Sequence, residues 1–191
     1  MKKSWKEHYW YTVPVMRRRI EEIVRCVNGE GKSVLEVGCN EGFVSKSLLE
    51  DGCNVTSSDI SDEMIQKAKD IFGLDVVKAD ACKLPFEDKS FDIVVAGEVL
   101  EHTTNPFLGL SEFFRVAKEK VIITLPVGEY WLGERTHFWE LGGMFIEHDS
   151  AEYYEAKKDI LILSWTRRRD DDLNDIPPFS MKEWEQKFRA K

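Results

Sequence analysis

No run in this chain approaches the ~18 consecutive apolar residues of a membrane-spanning helix, so no membrane span is expected. The opening Met1-Lys2-Lys3-Ser4-Trp5-Lys6-Glu7-His8 is basic but has no apolar stretch behind it, and no secretory leader is expected. Cysteine is sparse: residues 26, 39, 53 and 82 lie far apart with no C-x-x-C pair. That argues against a zinc knot or a disulfide scaffold and makes a reduced cytoplasm the expected compartment. Basic charge is not in surplus either. A formal net charge of −8 does not favour nucleic acid as a partner, since phosphate neutralisation needs a basic face. The two arginine triplets, 17–19 and 167–169, read as solvated ends of a helix and of a strand. Internal repeats and low-complexity segments are absent as well.

What is present is enough apolar material, 42% of 191 residues, for one domain with a sizeable core. The stretch from Ser33 to Ser45 organises it. Val34, Leu35 and Val37 make a short buried-strand run, Gly38 and Gly42 bracket a tight turn, and Phe43, Val44 and Leu48 begin a helix-spaced apolar set. Strand, glycine turn, helix is the opening unit of a doubly wound α/β sheet, where a cofactor sits at the strand's carboxyl end. Two rival fingerprints fail on spacing. A G-x-G-x-x-G dinucleotide turn from Gly38 would need glycines at Asn40 and Phe43. A P-loop ending in Gly31-Lys32-Ser33 would place its first glycine on Cys26, and that triplet precedes the strand.

The rest of the chain alternates in kind. Pro14 suits the first turn of a helix running to about Val27, with Ile20, Ile23, Val24 and Val27 on its apolar face. Strands are predicted over 54–59, 75–80, 91–97 and 120–126, with helices over 43–50, from Ser61 to near Gly73, and over 106–118. Such alternation predicts a parallel sheet with helices on both faces. After Pro126 the pattern changes: residues 127–143 are loop-like, with Trp131, His137 and Trp139. Met144 to about Ala156 and Ile160 to about Arg168 then read as an antiparallel hairpin. The aromatic opening (Trp5, His8, Tyr9, Trp10, Tyr11) packs on a sheet edge or forms a lid. A single domain results: residues 1–27 a leading segment and helix, 30–168 the core, and 170–191 an Asp- and Pro-bearing tail with a short helix from about Ser180.

Glu36-Val37-Gly38-Cys39-Asn40-Glu41-Gly42 resembles motif I of the class I S-adenosylmethionine (SAM) dependent methyltransferases, an acid followed by alternating glycines. Asn40 stands where the middle glycine would be, and asparagine is among the few residues that tolerate left-handed backbone. The resemblance covers roughly residues 30–168 and is nearest to the broad type 11 group. It implies a seven-stranded, mostly parallel sheet closed by a C-terminal antiparallel hairpin, and SAM as cofactor. Residue by residue it implies that Gly38, Cys39, Asn40 and Gly42 approach the methionine end and that Glu36 supports its ammonium. Asp59 would take the ribose hydroxyls, since a carboxylate is an acceptor-only pair suited to a diol. Ile60 would touch the adenine face, and Asp80 with Ala81 would receive the adenine amino group.

Glu98-Val99-Leu100-Glu101-His102, directly after the fourth strand, resembles a motif IV ending common in the same superfamily. In ubiquinone-pathway O-methyltransferases and small-RNA 3′-end 2′-O-methyltransferases such a run holds Mg²⁺ or Mn²⁺ near the acceptor hydroxyl. That implies Glu98, Glu101 and His102, with His137 from after the fifth strand, as metal ligands. Two other roles stand beside this one. Glu98 can face the cofactor while Glu101 and His102 settle the loop, or His102 can be a general base for an O–H acceptor. Trp131 and Trp139 are candidates for lining the acceptor site. The expected activity is methyl transfer from SAM to a small-molecule acceptor, at oxygen. The alternatives are a metal-dependent RNA 2′-O-methyltransferase and a non-catalytic SAM-binding or partner subunit.

Overall fold

In a computed structural model, which describes residues 5–126, 152–156 and 160–166, the short apolar runs lie side by side. Ser33–Val37 (β1), Asn54–Asp59 (β2), Val76–Lys78 (β3), Phe91–Gly97 (β4) and Ala117–Pro126 (β5) pair in parallel. Glu152–Ala156 (β6) and Ile160–Thr166 (β7) pair antiparallel to each other, and β7 runs antiparallel to β5. The order β3-β2-β1-β4-β5-β7-β6 makes the expected doubly wound, seven-stranded, mostly parallel sheet. The order in which strands are added reverses between β1 and β4, which opens the crevice in which this architecture holds its ligands.

The helices are Tyr9–Thr12 (α1), Pro14–Val27 (α2), Phe43–Glu50 (α3), Asp62–Phe72 (α4) and Pro106–Val116 (α5), with single 3-10 turns at Trp5–Glu7 and Leu100–His102. None of the helices among the described residues is long and apolar enough to cross a membrane. Local chemistry sets their ends. Ser61 Oγ accepts from Met64 N at 3.4 Å to start α4, and Asn105 Oδ1 accepts from Leu108 N at 3.1 Å to start α5. Asn28 and Gly73 close α2 and α4 in left-handed conformation. Successive strand residues point to opposite faces, so the central strands supply two cores at once. Leu35, Val94, Ala96 and Ile123 pack with Leu110 and Phe113 of α5. Val34, Ile93, Val95 and Ile122 pack with Ile23 and Val27 of α2 and Leu48 of α3.

Three expectations are corrected. The third strand is shorter than 75–80, because the chain turns after Lys78: Lys83 N donates to Asp80 O at 2.9 Å. The fifth strand starts at Ala117 instead of Lys120, and α5 ends at Val116. Ala117 is buried and pairs with Phe91 across a register shift, while Lys118 and Glu119 reach out to Asp92 and Lys32. The aromatic opening lies on helices, not on a sheet edge. The Trp5 ring is 6.3 Å from Phe43 and 5.9 Å from Phe72, its Nε1 donates to Glu50 at 2.8 Å, and His8 lies 5.0 Å from Phe43. The second arginine triplet, Trp131, His137, Trp139, Met144 and the tail from residue 170 lie outside the described residues.

Candidate functional site

The turn after β1 uses left-handed backbone at three alternate positions: φ is 68° at Gly38, 50° at Asn40 and 86° at Gly42. Asn40 therefore does what the missing glycine would do. The two glycines are required by the chain's own packing as much as by φ. A Cβ on Gly38 would sit 2.5 Å from Val99 Cγ2, and one on Gly42 would sit 2.5 Å from Leu74 Cδ1. Cys39 is buried in the turn, with its thiol pKa pushed up by burial and by Glu36 and Asp59.

Asp59 ties the end of β2 to that turn. Its Oδ2 accepts from Asn40 N at 2.8 Å and its Oδ1 from Ser61 N at 2.9 Å. A carboxylate can accept about four hydrogen bonds, so these two leave capacity for more. Ile60 beside it is 62% exposed, unusual for an isoleucine and apt for a flat apolar partner. At the neighbouring strand end Asp80 is exposed and its Oδ1 accepts from Cys82 N at 2.8 Å, with Ala81 half-buried behind it.

Next to the turn lies a cavity of about 390 Å³. Glu36, Gly38, Cys39, Asn40, Glu98 and His102 line it, so six expected residues from two separate segments meet there. Asp59, Ile60, Asp80 and Ala81 follow at the ends of the next two strands. Glu36 is buried and held by Ser45 Oγ, which in turn lies 2.6 Å from Ser57 Oγ. Desolvation raises the Glu36 pKa from 4.5 to about 8, against the lowering effect of the Ser45 hydrogen bonds.

Glu98 has left-handed backbone too, φ 57°, with its N–H donating to Thr124 O at 3.0 Å. A non-glycine residue held there stores strain of ~1–3 kcal/mol, and such strain gathers at functional sites. Its Oε2 is 2.6 Å from Arg19 Nη1. Glu101, by contrast, is sealed in the interior with no hydrogen-bond partner on either carboxyl oxygen. Burial first, and Glu98 second, raise its pKa to about 8. Among the described residues no group of three or more His, Cys, Asp or Glu is placed to hold a metal ion. The expected Mg²⁺ or Mn²⁺ set of Glu98, Glu101 and His102 is therefore not supported, and His137 lies outside the described residues.

Arg19 overturns one reading outright. It is 7% exposed and lines the cavity, instead of forming a solvated helix end. The signal was available: Val15, Arg19 and Ile23 recur at every fourth position, which puts Arg19 on the buried stripe of α2. Ser45 and Ser57 left no such trace.

Glu36 and Glu101 make stability depend on pH in a defined direction. Both have folded pKa values above the ordinary 4.5, so the folded chain binds more protons than the unfolded chain between about 4.5 and 8. Their contribution is fully present below that window and is lost as pH rises through it. Thermal melts across this range are expected to show a falling melting temperature. Glu101→Gln, which mimics the protonated acid, is expected to flatten the slope and raise the melting temperature at the alkaline end. An unchanged slope in that variant would contradict the assignment.

Comparison with known proteins agrees with this geometry. Residues 35–125 match a family described as "Methyltransferase domain" (Methyltransf_11). A ubiquinone biosynthesis O-methyltransferase of Dechloromonas aromatica is 33% identical over 52% of this chain and 46% of its own length. A demethylmenaquinone methyltransferase of Clavibacter sepedonicus is 33% identical over 46% of this chain and 38% of its own. The match thus spans less than half of these relatives. A SAM-dependent methyltransferase structure from Aquifex aeolicus shares the fold with TM-score 0.61 at 23% identity, covering 77% of this chain and 88% of that one.

Proposed function

We propose that this chain is a SAM-dependent methyltransferase and that it transfers a methyl group from SAM to a small-molecule acceptor, at oxygen. One observation carries the reading. A buried carboxylate, Asp59, is fixed by two backbone N–H groups beside the turn and keeps acceptor capacity for a ribose diol. The neighbouring residues fit the same ligand: exposed Ile60 for the adenine face, Asp80 and Ala81 for its amino group, and Glu36 for the ammonium. Bound there, the cofactor supplies a methyl group on a sulfonium, and displacement at that carbon needs the acceptor in line at ~3 Å. The chain's own work is placement and shielding. Ile20, Ile23, Phe43 and Val44 give the cavity an apolar wall, which limits water, and Glu98, which lines the same cavity, would face the cofactor. His102, which also lines the cavity, is the candidate base for the proton of an O–H acceptor.

The O-methyltransferase relatives favour a small acceptor. All four cysteines are free thiols, which supports a reducing compartment such as the cytoplasm. No observation among the described residues favours the metal-dependent RNA version. Calorimetry with S-adenosylhomocysteine is expected to give a one-site isotherm, and the same ligand is expected to raise the melting temperature. No heat and no thermal shift would sink the cofactor assignment. A screen of phenols, carboxylic acids and amines with methyl-labelled SAM then tests the acceptor class, and label appearing only on nitrogen would overturn the choice of oxygen.

A further inference from the structure

Glu36 stands at a core position, where an apolar residue would pack without penalty. It lies on the same face of β1 as Val34, which packs with Val95 of β4 and Leu48 of α3. Ser45 Oγ from α3 holds its Oε2, and Ser57 Oγ of β2 lies 2.6 Å behind Ser45. The charged neighbour that acts on it, Asp59 at the end of β2, is another acid. Cys39 of the turn is a thiol whose pKa burial pushes up. Around the same cavity come Glu41 of the turn, Glu98 and His102 after β4, and Arg19 of α2, whose Nη1 is 2.6 Å from Glu98 Oε2. Buried there, Glu36 keeps its proton at neutral pH, with a pKa of about 8.

The two serines suit either form of the acid, because a hydroxyl both donates and accepts. With Glu36 protonated, its O–H donates to Ser45 Oγ and Ser45 donates to Ser57 Oγ. With Glu36 ionised, Ser57 donates to Ser45 and Ser45 donates to the carboxylate. A lysine or a backbone N–H in that place would favour the ionised form alone. A cation that enters the cavity therefore meets a neutral acid already held in place to become its counter-ion.

Resting on the cofactor reading above, we propose that cofactor binding ionises Glu36 and releases its proton, with Ser45 and Ser57 as positioning residues that hold the acid in both states. The O–H bond of Glu36 breaks, the proton passes to solvent, and the carboxylate left behind faces the ammonium of the amino-acid tail. An opposite charge in contact favours the ionised carboxylate, so the exchange proceeds near neutral pH. Affinity then depends on pH through a group that no motif marks as titrating.

Calorimetry in two buffers reads the proton directly. At pH 7, S-adenosylhomocysteine is titrated into the wild-type protein in phosphate and in Tris, which differ widely in ionisation enthalpy. The two binding enthalpies are expected to differ by the release of about one proton, and affinity is expected to rise about 10- to 100-fold between pH 6 and 8 before levelling. 5′-Methylthioadenosine lacks the amine and is expected to bind with the same enthalpy in both buffers. Should it bind too weakly to titrate, Glu36→Gln takes its place, with S-adenosylhomocysteine expected to show no buffer dependence. Ser57→Ala withdraws support from the ionised acid. It is expected to weaken S-adenosylhomocysteine binding about 3- to 10-fold at pH 7 and to spare it at pH 9, where Glu36 is ionised before the ligand arrives. A loss of equal size at both pH values, or none at either, overturns the part given to the serines. Equal enthalpies for S-adenosylhomocysteine in the two buffers, or the same difference for both nucleosides, overturn the ionisation of Glu36 while leaving the cofactor assignment standing. Failure of wild type to bind either nucleoside overturns both.

Discussion

Replacing Asp59 with alanine is expected to weaken S-adenosylhomocysteine binding by more than about 100-fold, because hydrogen bonds to a charged acceptor contribute ~1.5–3 kcal/mol each and a diol makes two. The variant also loses the tether between β2 and the turn, since Asn40 N and Ser61 N, at 2.8 and 2.9 Å, would lack their acceptor. That second loss is smaller. Asn40 is exposed, so water can satisfy its N–H, and the melting temperature is expected to fall only modestly. Asp59→Asn separates the two effects: its remaining carbonyl can hold one tether, but its amide cannot accept both hydroxyls. Calorimetry and a thermal melt on both variants read the split. Binding within threefold of wild type in Asp59→Ala would remove the ribose assignment.

Gly42→Val is expected to be the most damaging change to the fold around the turn. The residue sits at φ 86°, which costs an L-residue ~1–2 kcal/mol, and valine is worse placed there than most. Its Cβ would lie 2.5 Å from Leu74 Cδ1 and 3.3 Å from Ala68 Cβ. Leu74 can turn aside, but Ala68 has no rotamer to change. Overpacking adds ~1–3 kcal/mol, so the total is about 2–5 kcal/mol, or a drop of roughly 5–20 °C in melting temperature for a chain of this size. Gly73→Ala is the control. Gly73 has φ 70° and nothing within 4 Å of the added carbon, so it reports backbone strain alone. Equal drops in the two variants would mean that packing at Gly42 contributes nothing.

The helix and strand boundaries around motif I were legible because their causes are local. Pro14 and Asn28 bound α2, Gly42 and Asp51 flank α3, and Ser61 and Gly73 cap α4. Asn40 could be read as a glycine substitute from its intrinsic tolerance of left-handed backbone, and its φ of 50° agrees. The junction of α5 and β5 was not legible. Lys118 read as the last residue of the helix, yet it lies in the strand with Glu119 and Lys120, their side chains reaching Asp92, Lys32 and the carbonyl of Cys26. Those partners are distant in the chain.

Read alone, the order of residues determined the alternating architecture, the turn at 38–42 and the acids at successive strand ends. Hydrophobic period and turn chemistry act over a few residues, and a linear reading sees them. Only the tertiary structure decided what the charged groups are for. It buried Arg19 against Glu98, sealed Glu101 in the interior, and placed Ser45 and Ser57 beside Glu36. The physical reason is that a charge takes its role from its counter-ion and its access to water. Both are settled when α2 docks on the sheet and not before.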